Sequence, residues 1–199
     1  MSLAPGETKR ISFVLKNGSG LEVVKTLVLN ADTYVAQLEV TIKRGGQTVP
    51  AKLKVGPSLG DQGVKEYTFY SVAPEAVASV NGIVERHTPQ AINENQNSPD
   101  RLALPGPVEW SGIGDTYFAM VVVPGKKLEG LELTTTQYDY SLNGSAQKRY
   151  LITAWVPIPT DGSPSSVYTG PKDHYLLTEA SQQLKVDLEG LIDYGWVCW

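Results

Sequence analysis

An antiparallel β-sandwich with one short helix near the C-terminal end is the fold class the sequence predicts, as a single domain over residues 1–199. Three observations carry it. Apolar and polar residues alternate with period two in several separate runs, and Gly, Pro, Asn or Asp bound those runs. Helical periodicity does not intervene between them, as a parallel α/β fold would require. An all-β chain of 199 residues is routinely one domain.

The first hairpin is signalled by Asn17-Gly-Ser-Gly20 between Ile11, Phe13 and Leu15 on one side and Val24 to Val28 on the other. Tyr34, Ala36, Leu38, Val40 and Ile42 alternate with Gln37, Glu39, Thr41 and Lys43, which marks a strand with one buried face. Gly45 and Gly46 supply the positive φ of a tight turn, and alternation resumes with Val49, Ala51, Leu53 and Val55, so the two runs read as a hairpin. Pro50 has no N–H for a ladder and puts its strand at an edge or bulge, where Lys52 and Lys54 discourage stray pairing. Further strands are expected at 64–72, 110–123, 130–136, 148–156 and 184–192. Residues 85–107, polar and carrying Pro89, Pro99, Pro105 and Pro107, read as a long surface loop, and 160–166 as a shorter one. The helix is expected from Lys172 to about Gln183. Pro171 suits a first helical position, Asp173 favours the positive end of the dipole, and Leu176, Ala180 and Leu184 share the face to be buried.

Lysines and arginines number 17 against 21 acidic residues, a net charge of −4, and they are scattered rather than striped. That excludes the electrostatic footprint of a nucleic-acid partner or of an anionic lipid surface. Cys198 is the only cysteine, so neither an intrachain disulfide nor a thiol metal site can form. Cysteine poverty fits an oxidising compartment. No window approaches the roughly 20 apolar residues that span a bilayer. Met1, Ser2 and Leu3 read as an expression scar.

Chemistry is sparse. Acid–base catalysis needs a base held near a second group, and the chain has two histidines, His87 in the polar loop and His174 in the first turn of the helix. A solvated or capping imidazole is the better reading for both, and neither has a neighbour at metal-ligand spacing. Asp115, Asp139, Asp173, Asp187 and Asp193 are the candidates for paired carboxylates. Asp115 is better explained by bonding backbone amides at a strand entry, and Asp193 by a turn. A nucleophile elbow and a phosphate-binding glycine loop are absent. No catalytic, cofactor-binding or metal-binding residue is assigned. Trp110, Tyr117, Phe118, Tyr138, Tyr140, Tyr150 and Trp155 are the candidates for stacking a sugar on a concave face; core packing is favoured, because Tyr117-Phe118 and Tyr138/Tyr140 fall in alternating patterns that need an inward face.

Three motifs follow one another toward the end: Trp110-Ser-Gly-Ile-Gly-Asp-Thr-Tyr-Phe118, Tyr168-Thr-Gly-Pro-Lys-Asp173, and Leu191-Ile-Asp-Tyr-Gly-Trp-Val-Cys-Trp199. Paired tryptophans beside a tyrosine suit a bilayer interface, so membrane is expected to follow residue 199. In this order the motifs resemble the large periplasmic domain of bacterial YidC-type membrane protein insertases, of the YidC/Oxa/Alb family, and the likeness is specific from about Trp110 onward. The resemblance implies a β-supersandwich of two large twisted antiparallel sheets and a periplasmic address on a bacterial inner-membrane protein. It implies an accessory, non-enzymatic role in the insertion and folding of membrane proteins, alone or with the Sec translocon. The implied partners are the membrane core of the same protein, accessory Sec subunits and nascent membrane proteins, with no cofactor and no nucleic acid. Docking onto the membrane core is expected through a rigid connector, residues 168–199. Its named residues are Tyr168, Gly170, Pro171, Lys172, Asp173 and Leu176, followed by Asp193, Tyr194, Gly195 and Trp196. The rival is a carbohydrate-binding or mutarotase-like sandwich, which needs a histidine and a carboxylate converging in a cleft.

Overall fold

The computed structural model describes residues 3–60, 73–95, 98–142 and 144–194. The strand expected at 64–72, and Gly195 and Trp196, lie outside these residues. The first hairpin forms as expected: β1 (Thr8–Lys16) and β2 (Leu21–Asn30) pair in register, and the Asn17 carboxamide oxygen accepts from the N–H groups of Ser19 at 3.1 Å and Leu21 at 3.0 Å. β3 (Val35–Arg44) then turns through Gly45 (φ 57°) and Gly46 (φ 82°) into β4, only Gln47–Thr48. There the expected hairpin stops. Pro50 cannot continue the ladder, and β5 (Ala51–Val55) crosses to a second sheet, where it forms an edge beside another strand's Ala154–Ile158.

Residues 85–107 are not one loop. β6 (Glu75–Val80) pairs with β7 (Ile83–His87), a helix α1 follows at Pro89–Asn93, and β8 (Arg101–Leu104) comes next. Thr88 caps α1 by accepting from the Ala91 N–H at 3.2 Å, with Pro89 in its first turn, a start signal that was present in the sequence. The run 110–123 is two strands, β9 (Val108–Gly114) and β10 (Phe118–Val123), joined by a tight turn. β11 (Leu131–Leu142) and β12 (Ser145–Ile158) make a long hairpin, and β13 (Asp161–Pro171) occupies the stretch read as a short loop. Pro164 lies where β13 shifts register against β3, which is how a strand accommodates a residue without an N–H.

The large sheet runs β1-β2-β3-β13-β10-β9-β6-β7, with β4 beside β3; the small sheet runs β5-β12-β11-β8. The expected antiparallel sandwich is therefore present. Between the sheets, Leu38, Ala76, Ile113 and Val122 meet Val55, Leu133, Ile152 and Val156 in one core. A second core lies on the outer face of the large sheet, where Val77, Trp110, Val121 and Tyr168 are covered by the C-terminal helix. β6 is consequently buried at every position, and β9 and β10 nearly so. Strands covered on both faces lose the simple alternation that a two-layer sandwich would keep. Gly112 reflects the crowding: a Cβ there would sit 2.0 Å from the Met120 carbonyl oxygen and 2.6 Å from the Val121 Cα.

The helix α2 spans His174–Leu184, two residues later than expected at its start, and Pro171 is the last residue of β13 rather than the first of a helix. Its fully buried side chain is Leu177, beside Ala180; Leu176 and Leu184 are half-buried. The strand expected at 184–192 is absent. Lys185 ends α2 in the left-handed region (φ 57°), and a 3-10 turn follows at Glu189–Leu191, with Leu188 and Leu191 buried. The alternating apolar residues Leu184, Val186 and Leu188 belong to a helix end and an irregular segment laid over a sheet, a pattern that mimics a strand.

Candidate functional site

The first two of the three C-terminal motifs meet in space. β10 pairs with β13 so that Phe118 lies opposite Pro171 and Ala119 opposite Gly170. In the turn before β10, the Asp115 carboxylate accepts from the N–H groups of Tyr117 and Phe118, both at 2.8 Å, which is the backbone-capping role expected of it. Lys172 grips the same turn twice. Its backbone N–H donates to the Tyr117 carbonyl at 2.7 Å, and its ammonium donates to the Asp115 carbonyl at 2.9 Å. Burial pushes the Lys172 ammonium below its ordinary pKa, opposed by the carboxylates of Glu75, Asp115 and Asp193 and assisted by Arg86. A lysine so placed fixes geometry; it is not a surface charge.

Tyr168 is buried, and its hydroxyl donates to the Pro171 carbonyl, closing the end of β13. Burial raises its phenol to about 12, with Tyr34 and Asp173 adding to the effect. Tyr34 packs against it with ring centroids 6.3 Å apart, and Gly170 is what admits that ring: a Cβ at 170 would stand 2.7 Å from the Tyr34 Cγ. Asp173 then starts α2, its carboxylate accepting from the N–H groups of Tyr175 at 3.0 Å and Leu176 at 3.1 Å. Leu176 lines a small cavity of about 50 Å³ with Tyr34 and Tyr168.

The segment after α2 is tied back at several points. Ser181 Oγ accepts from the Leu188 N–H at 2.9 Å, and the Asp187 carboxylate accepts from the Glu189 N–H at 3.0 Å. Arg86 of β7 bridges the buried Glu75 carboxylate at 2.7 Å and the Gly190 carbonyl at 2.6 Å. Gly190 itself lies over Val84 and Trp110, where a Cβ would come within 3.1 Å of Val84 Cγ2. Tyr194, exposed, places its hydroxyl 3.4 Å from His174 Nδ1. No local sequence motif marks Glu75, Arg86 or Tyr34; only the folded sheet brings them to the connector.

The expected site residues thus divide. Tyr168, Gly170, Pro171, Lys172, Asp173 and Leu176 form one continuous contact set, Tyr194 joins it through His174, and Asp193 is exposed beside Tyr194. His87 lies on β7, not in a loop, with Nε2 3.1 Å from the Glu85 carboxylate. Tyr117 and Phe118, read as core residues, are exposed, at 70% and 54%. They lie at the tip of the β9–β10 hairpin, Phe118 on the face of β10 that Met120 and Val122 share. Trp155, on the outer face of the small sheet, is half-buried, and its indole N–H donates to Thr134 Oγ1 at 2.9 Å. One open cleft among the described residues, about 660 Å³ and lined by Lys52, Arg101, Pro105, Glu129 and Glu132 among others, has no aromatic lining residue on which a sugar would stack. Among the described residues no three His, Cys, Asp or Glu side chains gather as a metal ion requires, and no helix is long and apolar enough to cross a membrane.

The family model of the YidC periplasmic domain matches residues 1–199. The chain belongs to that family. Two curated relatives, each called membrane protein insertase YidC, align over 198 residues: one from Chlorobaculum parvum at 24% identity and one from Chlorobaculum tepidum at 22%. Both alignments cover 96% of this chain but only 31% of the relative's length. Seen as a YidC periplasmic domain, the chain shows its motifs in a structural role: the Gly-x-x-Asp turn, the Gly-Pro-Lys strand end and the Asp cap lock one another.

Proposed function

We propose that this chain is the accessory periplasmic domain of an inner-membrane protein insertase. It has no chemistry of its own and is coupled to a membrane core by residues 168–196. The observation that carries the reading is the double grip of Lys172 on the Tyr117 and Asp115 carbonyls, continued by the Asp173 cap and the Arg86–Gly190 tie. These contacts make the path from β13 through α2 to Tyr194 a stiff lever rather than a tether. Force or position applied at one end reaches the sheet without slack. The transfer of apolar segments into lipid supplies the driving force for insertion, so the domain needs neither nucleotide nor metal. Nascent membrane proteins, and accessory Sec subunits reached through an exposed sheet surface, are the partners in this reading.

The test is complementation of an insertase-depleted cell by the full-length protein, with membrane levels of each variant measured. Scrambling Tyr168 to Asp173, or Asp193 to Trp196, is expected to impair growth at normal protein level. Shortening the segment between α1 and β8 is expected to leave growth intact, since none of its described residues belongs to the second core or the connector. Normal growth with both connector segments scrambled would overturn the assignment.

A further inference from the structure

Four large aromatic side chains stand exposed around the point where β13 hands over to α2. Tyr117 is 70% exposed, Phe118 54%, Tyr175 82% and Tyr194 64%. Contacts already described hold them together. Phe118 is the ladder partner of Pro171, and Tyr117 is bonded to the Lys172 backbone. Tyr175 sits two residues past Asp173, with the His174 and Tyr175 rings 5.7 Å apart, and the Tyr194 hydroxyl reaches His174. Exposed apolar surface of this kind, gathered around one junction, marks an interaction site.

We propose that Tyr117, Phe118, Tyr175 and Tyr194 form an aromatic collar that seats the domain in the headgroup layer of a zwitterionic lipid surface. Tyrosine, an apolar ring with a polar hydroxyl, is a side chain that partitions to that layer, and the wholly apolar Phe118 ring gains by leaving water on its acyl side. The chain runs on from Tyr194 to Trp196 and Trp199, residues of the same interfacial character. The charges nearby fit a zwitterionic surface better than an anionic one. Asp173 and Asp193 are exposed, while the one lysine of the cluster, Lys172, is turned into the Asp115 turn. A collar rimmed by carboxylates gains nothing from anionic headgroups. The Asp115 and Lys172 contacts also hold the hairpin tip in shape before it meets lipid, so little conformational freedom is lost on seating. The proposal rests on the membrane-coupled reading above, and it concerns what the domain end touches rather than whether the connector matters.

The experiment uses the chain with Cys198→Ser, which removes its only cysteine, and single nitroxide labels at Tyr117→Cys, Tyr175→Cys and, as a control on the far edge strand, Phe13→Cys. Vesicles of phosphatidylcholine, alone or mixed equally with phosphatidylglycerol, are the probe, and relative collision with oxygen and a water-soluble nickel chelate reads depth. Labels at 117 and 175 are expected to be shielded from nickel on vesicles, with 13 remaining in water. Phe118→Ser is expected to weaken partitioning on the order of tenfold, from the apolar area it removes, and added phosphatidylglycerol should not strengthen it. Bound chains whose labels at 117 and 175 stay in water would overturn the collar while leaving the connector untouched. So would the absence of vesicle binding, or binding that requires phosphatidylglycerol and disappears in salt. Failure of the connector would instead appear as normal complementation by the scrambled variants, whatever the labels report.

Discussion

Leu177→Ala separates the observed helix orientation from the one that periodicity alone suggests. Leu177 has no solvent exposure and lies in the core that contains Trp110, Val121 and Tyr168. Truncation removes three carbon atoms from that site, worth about 2–2.5 kcal/mol at roughly 0.8 kcal/mol per buried methylene. A sheet on one side and a helix backbone on the other leave little room to collapse, so a cavity contribution of about 1–2 kcal/mol adds to it, for a loss of about 3–4.5 kcal/mol. Leu176, half-buried against a cavity that already exists, should lose about 1 kcal/mol on the same change. In urea, with a slope of about 2–3 kcal/mol per molar for a domain of this size, the midpoint falls by roughly 1–2 M for Leu177→Ala and by well under half of that for Leu176→Ala. Equal shifts, or a larger one for Leu176, would show that α2 presents a different face to the sheet.

Two further perturbations probe the connector's supports. Arg86→Met strands the buried Glu75 carboxylate and frees the Gly190 carbonyl, so stability should fall by about 3–5 kcal/mol, and adding Glu75→Gln should recover part of it; chemical denaturation of the single and double variants reads both. Tyr168 holds its proton to about 12 when folded against an ordinary value near 10. Its contribution is therefore complete below pH 10 and is lost as pH rises from about 10 to 12, the unfolded chain giving up that proton first. Melting temperature against pH should fall more steeply for the wild-type chain than for Tyr168→Phe across that window.

Much of the sandwich was legible because the signals were local. The Asn17 turn, the Gly45-Gly46 turn and the alternation of β3 each depend on a few neighbouring residues, and each appears where the sequence places it. Several of the differences share a physical origin in the second core. Where α2 covers β6, β9 and β10, both strand faces are apolar, so alternation no longer says which side chains face inward. Tyr117 and Phe118 continue that pattern and yet lie exposed at a hairpin tip. The apolar residues Leu184, Val186 and Leu188 alternate but lie over the sheet surface without pairing. α1 was missed although Thr88-Pro89 carried a cap and a first-turn proline, because prolines and asparagines around it outweighed five residues of helix. Within the connector, Asp115 and Asp173 could be read as capping groups from position alone. The grip of Lys172 and the reach of Arg86 depend on residues between 55 and more than 100 positions apart, for which the linear pattern has no signal.

The place of β13 in the large sheet bears on how the chain acquires its shape. Among the described residues, β13 alone joins β1-β2-β3 to β10-β9-β6-β7. Emerging N-terminus first, the chain first acquires two sheet fragments, each with a bare edge, at β3 and at β10. Pairings of such long sequence separation form slowly, and bare edges attract foreign strands while they wait. The fragments become one sheet only when residues 161–171 slot between them, and the outer core closes only when α2 and the turn at Gly190 follow. The connector is thus also the keystone of assembly: the domain reaches its final form at the same moment as the lever that would carry it.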